Sequence, residues 1–179
     1  MADIRVWVGD ITELPVAAVV NAANSRLAGG GGVDGAIHRA AGYEALQAAC
    51  AKLGGCPTGQ VKLTGAFKLP ARAIIHAVGP VWQGGGQGEP EALRSCYRQT
   101  MLLAEREGFE SIAFPAISCG VYGYPLQAAV DIAVREVMAC LNEAGISRVV
   151  QQVVFCCFAE EMAALYRQRL NELGVALDV

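Results

Sequence analysis

Residues 16–38 read VAAVVNAANSRLAGGGGVDGAIH, and this stretch decides the fold that we predict. It opens with a continuous apolar run, Val16 to Val20, which is typical of a strand buried on both faces of a sheet. Four glycines, Gly29 to Gly32, follow, and a helical pattern begins at about Asp34. A buried strand, a glycine-rich loop and a helix in that order indicate an α/β protein.

Strand and helix patterns alternate on both sides of this stretch. Further strands are predicted at Ile4 to Val8, Val61 to Phe67, Ala73 to Val78, Ser111 to Pro115 and Val149 to Phe155, and helices at Asp34 to Lys52, Glu91 to Glu107, Pro125 to Ala144 and Ala159 to Leu173. This order predicts one domain over residues 1–179, with a largely parallel sheet between helices. Ligands of such folds bind beyond the carboxyl ends of the strands, so the candidate loops are Gly9 to Thr12, Asn21 to Asp34 and Ile117 to Tyr124.

The charge balance argues against a nucleic-acid-binding surface. The chain has 14 Lys and Arg against 17 Asp and Glu, for a net charge of −3, and no basic block stands out. Nucleic acids are held by basic surfaces that neutralise phosphates. Phosphate groups would therefore have to be bound here by backbone N–H groups and helix N-termini.

The cysteines and histidines predict neither disulfides nor a metal site, and no cofactor is expected. The seven cysteines form no Cys-x-x-Cys pair, and neither His38 nor His76 stands at metal-ligand spacing from a cysteine. We expect most cysteines to be small buried hydrophobes, with Cys156 and Cys157 on opposite faces of a strand.

No membrane or targeting segment is expected. Although 54% of the residues are hydrophobic, no apolar run approaches the roughly 18 residues of a membrane helix. The first residues, Met1 to Arg5, lack the charged-then-apolar build of a signal peptide. The expected location is the cytoplasm.

The run Gly29 to Gly32 has two interpretations. Glycines before a helix can present several N–H groups to an anion, but they also occur in flexible connections. The buried strand before the run and the acid after it weaken the second interpretation. The run is not a P-loop, because no Gly-Lys-Ser/Thr follows, and it is not the Gly-x-Gly-x-x-Gly turn that directly follows a first strand.

The polar residues around the glycines also leave alternatives. Asp34 suits either a helix cap or a catalytic acid, and His38 shares its helical face four residues on. Asn21 and Asn24 suit either a turn or the hydrogen bonds of a ribose site. A second loop, Ser118 to Gly123, suits either a phosphate loop with Tyr122 over a sugar or a tight turn with a core tyrosine.

With these residues in view, the sequence resembles the MacroD-type macrodomains, in particular the bacterial O-acetyl-ADP-ribose deacetylases. The likeness covers nearly the whole chain and is carried by the segments Gly9 to Thr12, Val20 to Asn24, Gly29 to His38, Ile75 to Pro80, Phe114 to Pro125 and Val153 to Phe158. The resemblance implies a three-layer α/β/α sandwich with a mixed sheet. It implies an enzyme without metal that hydrolyses esters of ADP-ribose, either O-acetyl-ADP-ribose or ADP-ribose on protein carboxylates.

The resemblance also implies a role for each matching residue. Asp34 would orient or activate the water, Asn24 would hold the distal ribose, and His38 would support them. Asp10 would accept from the adenine amino group, beside the Ile11 backbone, with Phe158 packed near the ring. The remaining contacts, to the distal ribose and the diphosphate, would come from Gly31, Gly32, Val33, Ser118, Cys119, Gly120, Val121 and Tyr122.

Two departures from the family pattern stand out. Cys119 replaces the usual threonine and puts a thiol, a potential oxidation site, beside the phosphates. Residues 159–162 read AEEM where relatives often have an acid and then an asparagine, which puts polar contacts near the adenine in doubt.

Two other functions were weighed. A reader module would bind ADP-ribose without chemistry, but many such modules lack the pair Asn24 and Asp34. An unrelated nucleotide-binding α/β protein is disfavoured by the missing Walker lysine and Rossmann turn.

Overall fold

A six-stranded mixed sheet forms the middle layer of the structure, a computed structural model that describes residues 2–177. Its strands are β1 (Asp3–Val8), β2 (Ala18–Ala23), β3 (Val61–Gly65), β4 (Ala73–Val78), β5 (Ser111–Phe114) and β6 (Gln152–Cys157). They lie in the order β1-β6-β5-β2-β4-β3, and only β3 runs antiparallel to its neighbour. The prediction of a mixed, largely parallel sheet is confirmed.

Helices cover both faces of the sheet. They are α1 (Gly32–Ala41), α2 (Tyr43–Ala51), α3 (Glu89–Glu107), α4 (Leu126–Leu141), α5 (Ala144–Val149) and α6 (Glu160–Glu172), and a short 3-10 helix spans Ile11–Glu13. Buried residues of α1 and α2 join one apolar core, and those of α3 to α6 join the other. The predicted three-layer sandwich is therefore confirmed.

Side chains of each strand alternate between these two cores, as the period of two requires. On β4, Ile74 packs under α1 and α2, whereas Ile75 packs under the other helices. Cys156 and Cys157 divide in the same way, as predicted. All seven cysteines are free, and all except Cys119 are buried.

Several predicted boundaries were wrong. The helix predicted at 34–52 is two helices, because Gly42 adopts a φ of +106° between them. The helix predicted at 125–144 ends at Leu141, and a separate helix, α5, delays the last strand to Gln152. The first buried strand begins two residues late and extends to Ala23. Over residues 2–177, no helix combines the length and apolar character needed to cross a bilayer.

The glycine-rich loop between β4 and α3 is held by one buried carboxylate. Glu89 is 2% exposed and accepts backbone hydrogen bonds from Gln83, Gly85 and Gln87 at 2.8, 2.9 and 2.6 Å. Burial alone would raise the pKa of Glu89, but the backbone N–H donors outweigh it and lower the pKa from 4.5 to about 2. The loop therefore has a defined shape at neutral pH.

We expect Glu89→Gln to lower the melting temperature at pH 7, because an amide cannot accept from all three N–H groups. A carboxyl group with a lowered pKa stabilises the fold above its unfolded pKa, and the effect is lost as the pH falls through the folded pKa. The difference in melting temperature should thus narrow from about pH 4.5 towards pH 2. Thermal melts across this pH range check the prediction, with Glu91→Gln, at an exposed position, as the control. A difference in melting temperature between wild type and Glu89→Gln that stays constant with pH would contradict it.

Candidate active site

The predicted ligand loops meet at one edge of the sheet. Five strands run parallel, so their carboxyl ends lie together, and each is followed by a loop at that edge. Strands β2 and β5 are direct neighbours. This adjacency brings the loop that contains Gly29 to Gly32 beside the loop Ser118 to Gly123, which are 86 or more residues apart in the sequence.

The carboxylate of Asp34 is the most tightly held polar group at this edge. It is 5% exposed, and its Oδ1 accepts from Asn21 Nδ2 at 2.9 Å and lies 3.0 Å from His38 Nδ1. Its Oδ2 accepts from the Gly30 N–H at 2.9 Å. Donors from a strand, a loop and a helix thus fix the orientation of one carboxylate.

His38 contacts Asp34 from one turn further along α1. It is 1% exposed, and its Nδ1 lies 3.0 Å from both the carbonyl oxygen and Oδ1 of Asp34. Because both oxygens accept, Nδ1 carries the proton. The structure thus places His38, which was predicted to be catalytic, in contact with Asp34 and with its ring buried.

Sequence reasoning missed His76 as part of the site. Its Nδ1 lies 3.1 Å from Asn21 Nδ2, and its Nε2 lies 2.9 Å from Thr64 Oγ1. Burial, aided by the nearby His38, lowers the pKa of His76 from 6.5 to about 4, so the ring is neutral. His76 could have been recognised because it pairs in register with Asn21. That pairing is visible only once β2 and β4 are known to be neighbours.

Asn24 and Asp34 both approach the position that a Cβ would occupy at Gly30. A Cβ built at Gly30 would lie 3.6 Å from Asp34 Oδ2 and 3.8 Å from Asn24 Nδ2. The Asn24 amide also binds both the N–H and the carbonyl of Ala28, which fixes its plane. A small polar group over Gly30 would therefore meet both side chains.

The start of α1 is an uncapped array of N–H groups. Gly31 is the N-cap and makes no side-chain cap, Gly32 has a φ of +59°, and Val33 follows in the first turn. Nothing lies within 4 Å of a Cβ at Gly31 or Gly32, so the approach to these N–H groups is open. The partial positive charge of a helix N-terminus attracts anions.

The second loop presents another such array. Over residues 2–177, the N–H groups of Gly120, Val121 and Tyr122 meet no acceptor. The turn is closed by Tyr124 N–H on Ser118 O at 2.9 Å, and Ser118 adopts a φ of +66°.

The thiol in this loop is not poised for oxidation. Burial raises the pKa of Cys119 to about 11, so the thiol stays protonated at neutral pH. Its Sγ lies 3.5 Å from Ile117 O. Since the thiolate is the reactive form, the expected oxidation site is not supported.

The other end of the edge carries the predicted adenine contacts. Asp10 is exposed, and its Oδ1 accepts from Thr12 N–H at 2.9 Å and Oγ1 at 2.7 Å. Phe158 is 65% exposed and directly follows β6, whose last residue pairs with Val8. Ile11 is buried beside them. In the described part of the chain, no group of three or more His, Cys, Asp or Glu could hold a metal ion.

Known proteins resemble the chain over nearly its full length. A family model described as the Macro domain matches residues 20–133. A macro domain-containing protein of Mesorhizobium japonicum is 56% identical over 170 residues, covering 95% of this chain and 94% of that protein. A Salmonella newport protein named O-acetyl-ADP-ribose deacetylase is 53% identical over 175 residues, covering 96% of each. An Oceanobacillus iheyensis macrodomain, a point mutant solved with ADPR, superposes with a TM-score of 0.88 at 42% identity, covering 94% of this chain and 91% of that chain.

We expect Gly79→Ala to disturb the second loop. A Cβ at Gly79 would lie 2.2 Å from Ser118 Oγ and 2.6 Å from Ile117 Cγ2, so the loop must shift. The free energy of unfolding should fall by about 1–3 kcal/mol, as overpacking typically costs. Urea denaturation checks it, with Gly86→Ala as the matched control because nothing lies within 4 Å of a Cβ there. Equal stability of the two variants would contradict the expectation.

Stability should also depend on His76 at mildly acidic pH. Its pKa is lowered on folding, so its contribution is complete above pH 6.5 and declines as the pH falls towards 4. The loss over this window should be on the order of 3 kcal/mol. In urea denaturation at several pH values, the free energy of unfolding should change less with pH for His76→Asn than for the wild type. An equal change in both proteins would refute the lowered pKa of His76.

Proposed function

The chain belongs to the macro domain family, and on that premise we propose that it is an ADP-ribose-binding hydrolase that cleaves ester-linked derivatives of ADP-ribose. Its substrate is O-acetyl-ADP-ribose, a protein that carries mono-ADP-ribose on acidic side chains, or both. Support comes from the relative named O-acetyl-ADP-ribose deacetylase and from the similar structure solved with ADPR.

One observation carries the catalytic part of the proposal. Asp34 Oδ2 and Asn24 Nδ2 lie 3.6 and 3.8 Å from the position that a Cβ would occupy at Gly30. Within residues 2–177, the N–H groups at the start of α1 and those of Gly120 to Tyr122 have no acceptor. A distal ribose above Gly30 would hydrogen-bond to Asn24, and its ester would face Asp34. Holding both reactants in this way removes much of the entropic barrier.

The rest of the ligand follows the edge of the sheet. The diphosphate accepts N–H bonds from Gly31 to Val33 on one side and from Gly120 to Tyr122 on the other. Adenine packs on Phe158 and donates its amino hydrogen to Asp10, next to Ile11. Ser118 and Cys119 shape the second loop from below. Neutral donors suffice for two phosphates, which suits a chain with a net charge of −3.

The proposed reaction is the hydrolysis of an ester. Asp34 orients a water molecule and takes one proton as the water oxygen bonds to the acyl carbon. The bond between the acyl carbon and the ribose oxygen then breaks, and that oxygen receives a proton. General-base action contributes typically ~10²–10⁴-fold. The products are a carboxylic acid, free or on a protein, and ADP-ribose.

The setting of this activity is also a proposal. Residues 1–179 act as one macro domain, without nucleic acid as a partner. Seven unpaired cysteines suit a reducing compartment, so the cytoplasm is the proposed location.

The alternative is a reader module that binds ADP-ribose without chemistry. Calorimetric titration with ADP-ribose followed by turnover assays on O-acetyl-ADP-ribose and on a mono-ADP-ribosylated protein separates the two functions. Binding with turnover supports the hydrolase, and binding without turnover of either ester supports the reader.

We expect Asp34→Ala to abolish turnover and to leave the affinity for ADP-ribose within about tenfold, or ~1.4 kcal/mol. The variant loses the group that orients water but keeps both N–H arrays. Because Asn21 and Gly30 lose their acceptor, its melting temperature is measured in parallel, and Asp34→Asn preserves the volume. The exposed Glu44→Ala on α2 is the control for losing a carboxylate. Wild-type turnover by Asp34→Ala would remove Asp34 from the mechanism.

A further inference from the structure

We propose that His76 is a positioning residue for this hydrolysis, which acts on Asp34 through the side-chain amide of Asn21. The inference rests on the proposed function, because it concerns the efficiency of the same site. His76 is 1% exposed, so it acts on a bound ligand only through its neighbours.

The hydrogen bonds of Asn21 determine which nitrogen of His76 carries the proton. Asn21 Nδ2 donates one hydrogen to Asp34 Oδ1 at 2.9 Å, and its second hydrogen points to His76 Nδ1 at 3.1 Å. A donor needs an acceptor, so Nδ1 of His76 is unprotonated and Nε2 carries the proton.

The far side of the ring agrees with this tautomer. His76 Nε2–H donates to Thr64 Oγ1 at 2.9 Å, and the Thr64 hydroxyl donates in turn to Gly65 O at 3.0 Å. Every donor therefore meets an acceptor from β3 to α1. This series of hydrogen bonds fixes the plane of the His76 imidazole and, through it, the plane of the Asn21 amide.

Two hydrogen bonds from Nδ2, to Asp34 and to His76, hold the Asn21 amide in place. Its Oδ1 is buried and meets no hydrogen-bond partner within residues 2–177. If His76 no longer accepts from Nδ2, only the bond to Asp34 Oδ1 holds the amide, and the amide plane can turn about that bond. Loss of the His76 acceptor thus weakens the hold of strand β2 on the Asp34 carboxylate.

Two substitutions separate the acceptor at Nδ1 from the donor at Nε2. His76→Asn puts an amide oxygen where the ring has Nδ1, so it can still accept from Asn21. His76→Gln puts an amide group near Nε2 and leaves Asn21 without an acceptor. Ile74→Val, on the same strand and face, is a matched control that loses only buried apolar volume.

We expect His76→Gln to lower kcat by about 10- to 100-fold with KM within about twofold, as small misplacements of a reacting group do. His76→Asn should keep kcat within about threefold of the wild type. Ile74→Val should melt at a lower temperature with unchanged kcat. The steady-state rates are measured on O-acetyl-ADP-ribose, with ADP-ribose affinity as the check on folding.

Equal loss of kcat in both His76 variants, or no loss in either, overturns the proposal. Nitrogen NMR of the wild type tests it without any variant: a proton on Nδ1 of His76 also overturns it. If the wild type hydrolyses neither ester, the proposed function fails, and the crystal structure of His76→Gln decides the positioning. An Asn21–Asp34 bond kept at 2.9 Å would then refute it, and a broken bond would support it.

Discussion

The hydrogen bonds of one buried amide connect the centre of the sheet to the helix that carries Asp34. Asn21 lies on β2 and reaches Asp34 at the start of α1 and His76 on β4. Its Oδ1, which has no partner within residues 2–177, costs on the order of 1–3 kcal/mol, and apolar packing elsewhere must offset this cost. In return, these hydrogen bonds fix the orientation of the first turn of α1 relative to the sheet. They thereby also fix the N–H groups of the glycine loop.

The same edge explains how an acidic chain can receive an anion. Strands β2 and β5 are paired, and neighbouring strands lie about 4.8 Å apart, so the two loops that follow them begin side by side. At Gly31 to Val33 and at Gly120 to Tyr122, the loops offer backbone N–H groups and no cationic side chains. Such donors discriminate by shape, because they are fixed in the backbone and cannot follow an anion that is placed elsewhere.

The sequence predicted a largely parallel sheet between helices and the candidate loops, because apolar period and glycine position are local signals, whereas the mixed sheet was implied by the family resemblance. It did not predict which strands are neighbours, and that is why His76 was missed while Asp34 was found. The break at Gly42 was missed for another reason: the helical pattern continues across it, and only the backbone conformation of that one glycine separates α1 from α2. Helix α5 was missed because Ile146, Val149 and Val150 continue into the apolar pattern of β6.

The environment of Asp34 bears on the choice between a hydrolase and a reader. A helix cap needs one bond between a side chain and an N–H group of its own first turn. The Asp34 carboxylate instead meets Asn21 of a strand, Gly30 of a loop and His38 of its own helix, and none of these is an N–H group of the first turn. Its Oδ2 also faces the space above Gly30, which any larger residue at that position would fill. A carboxylate that is held by three donors, with Oδ2 beside the Cβ position of Gly30, is better ordered than a helix cap needs, and such order is consistent with the role proposed for Asp34.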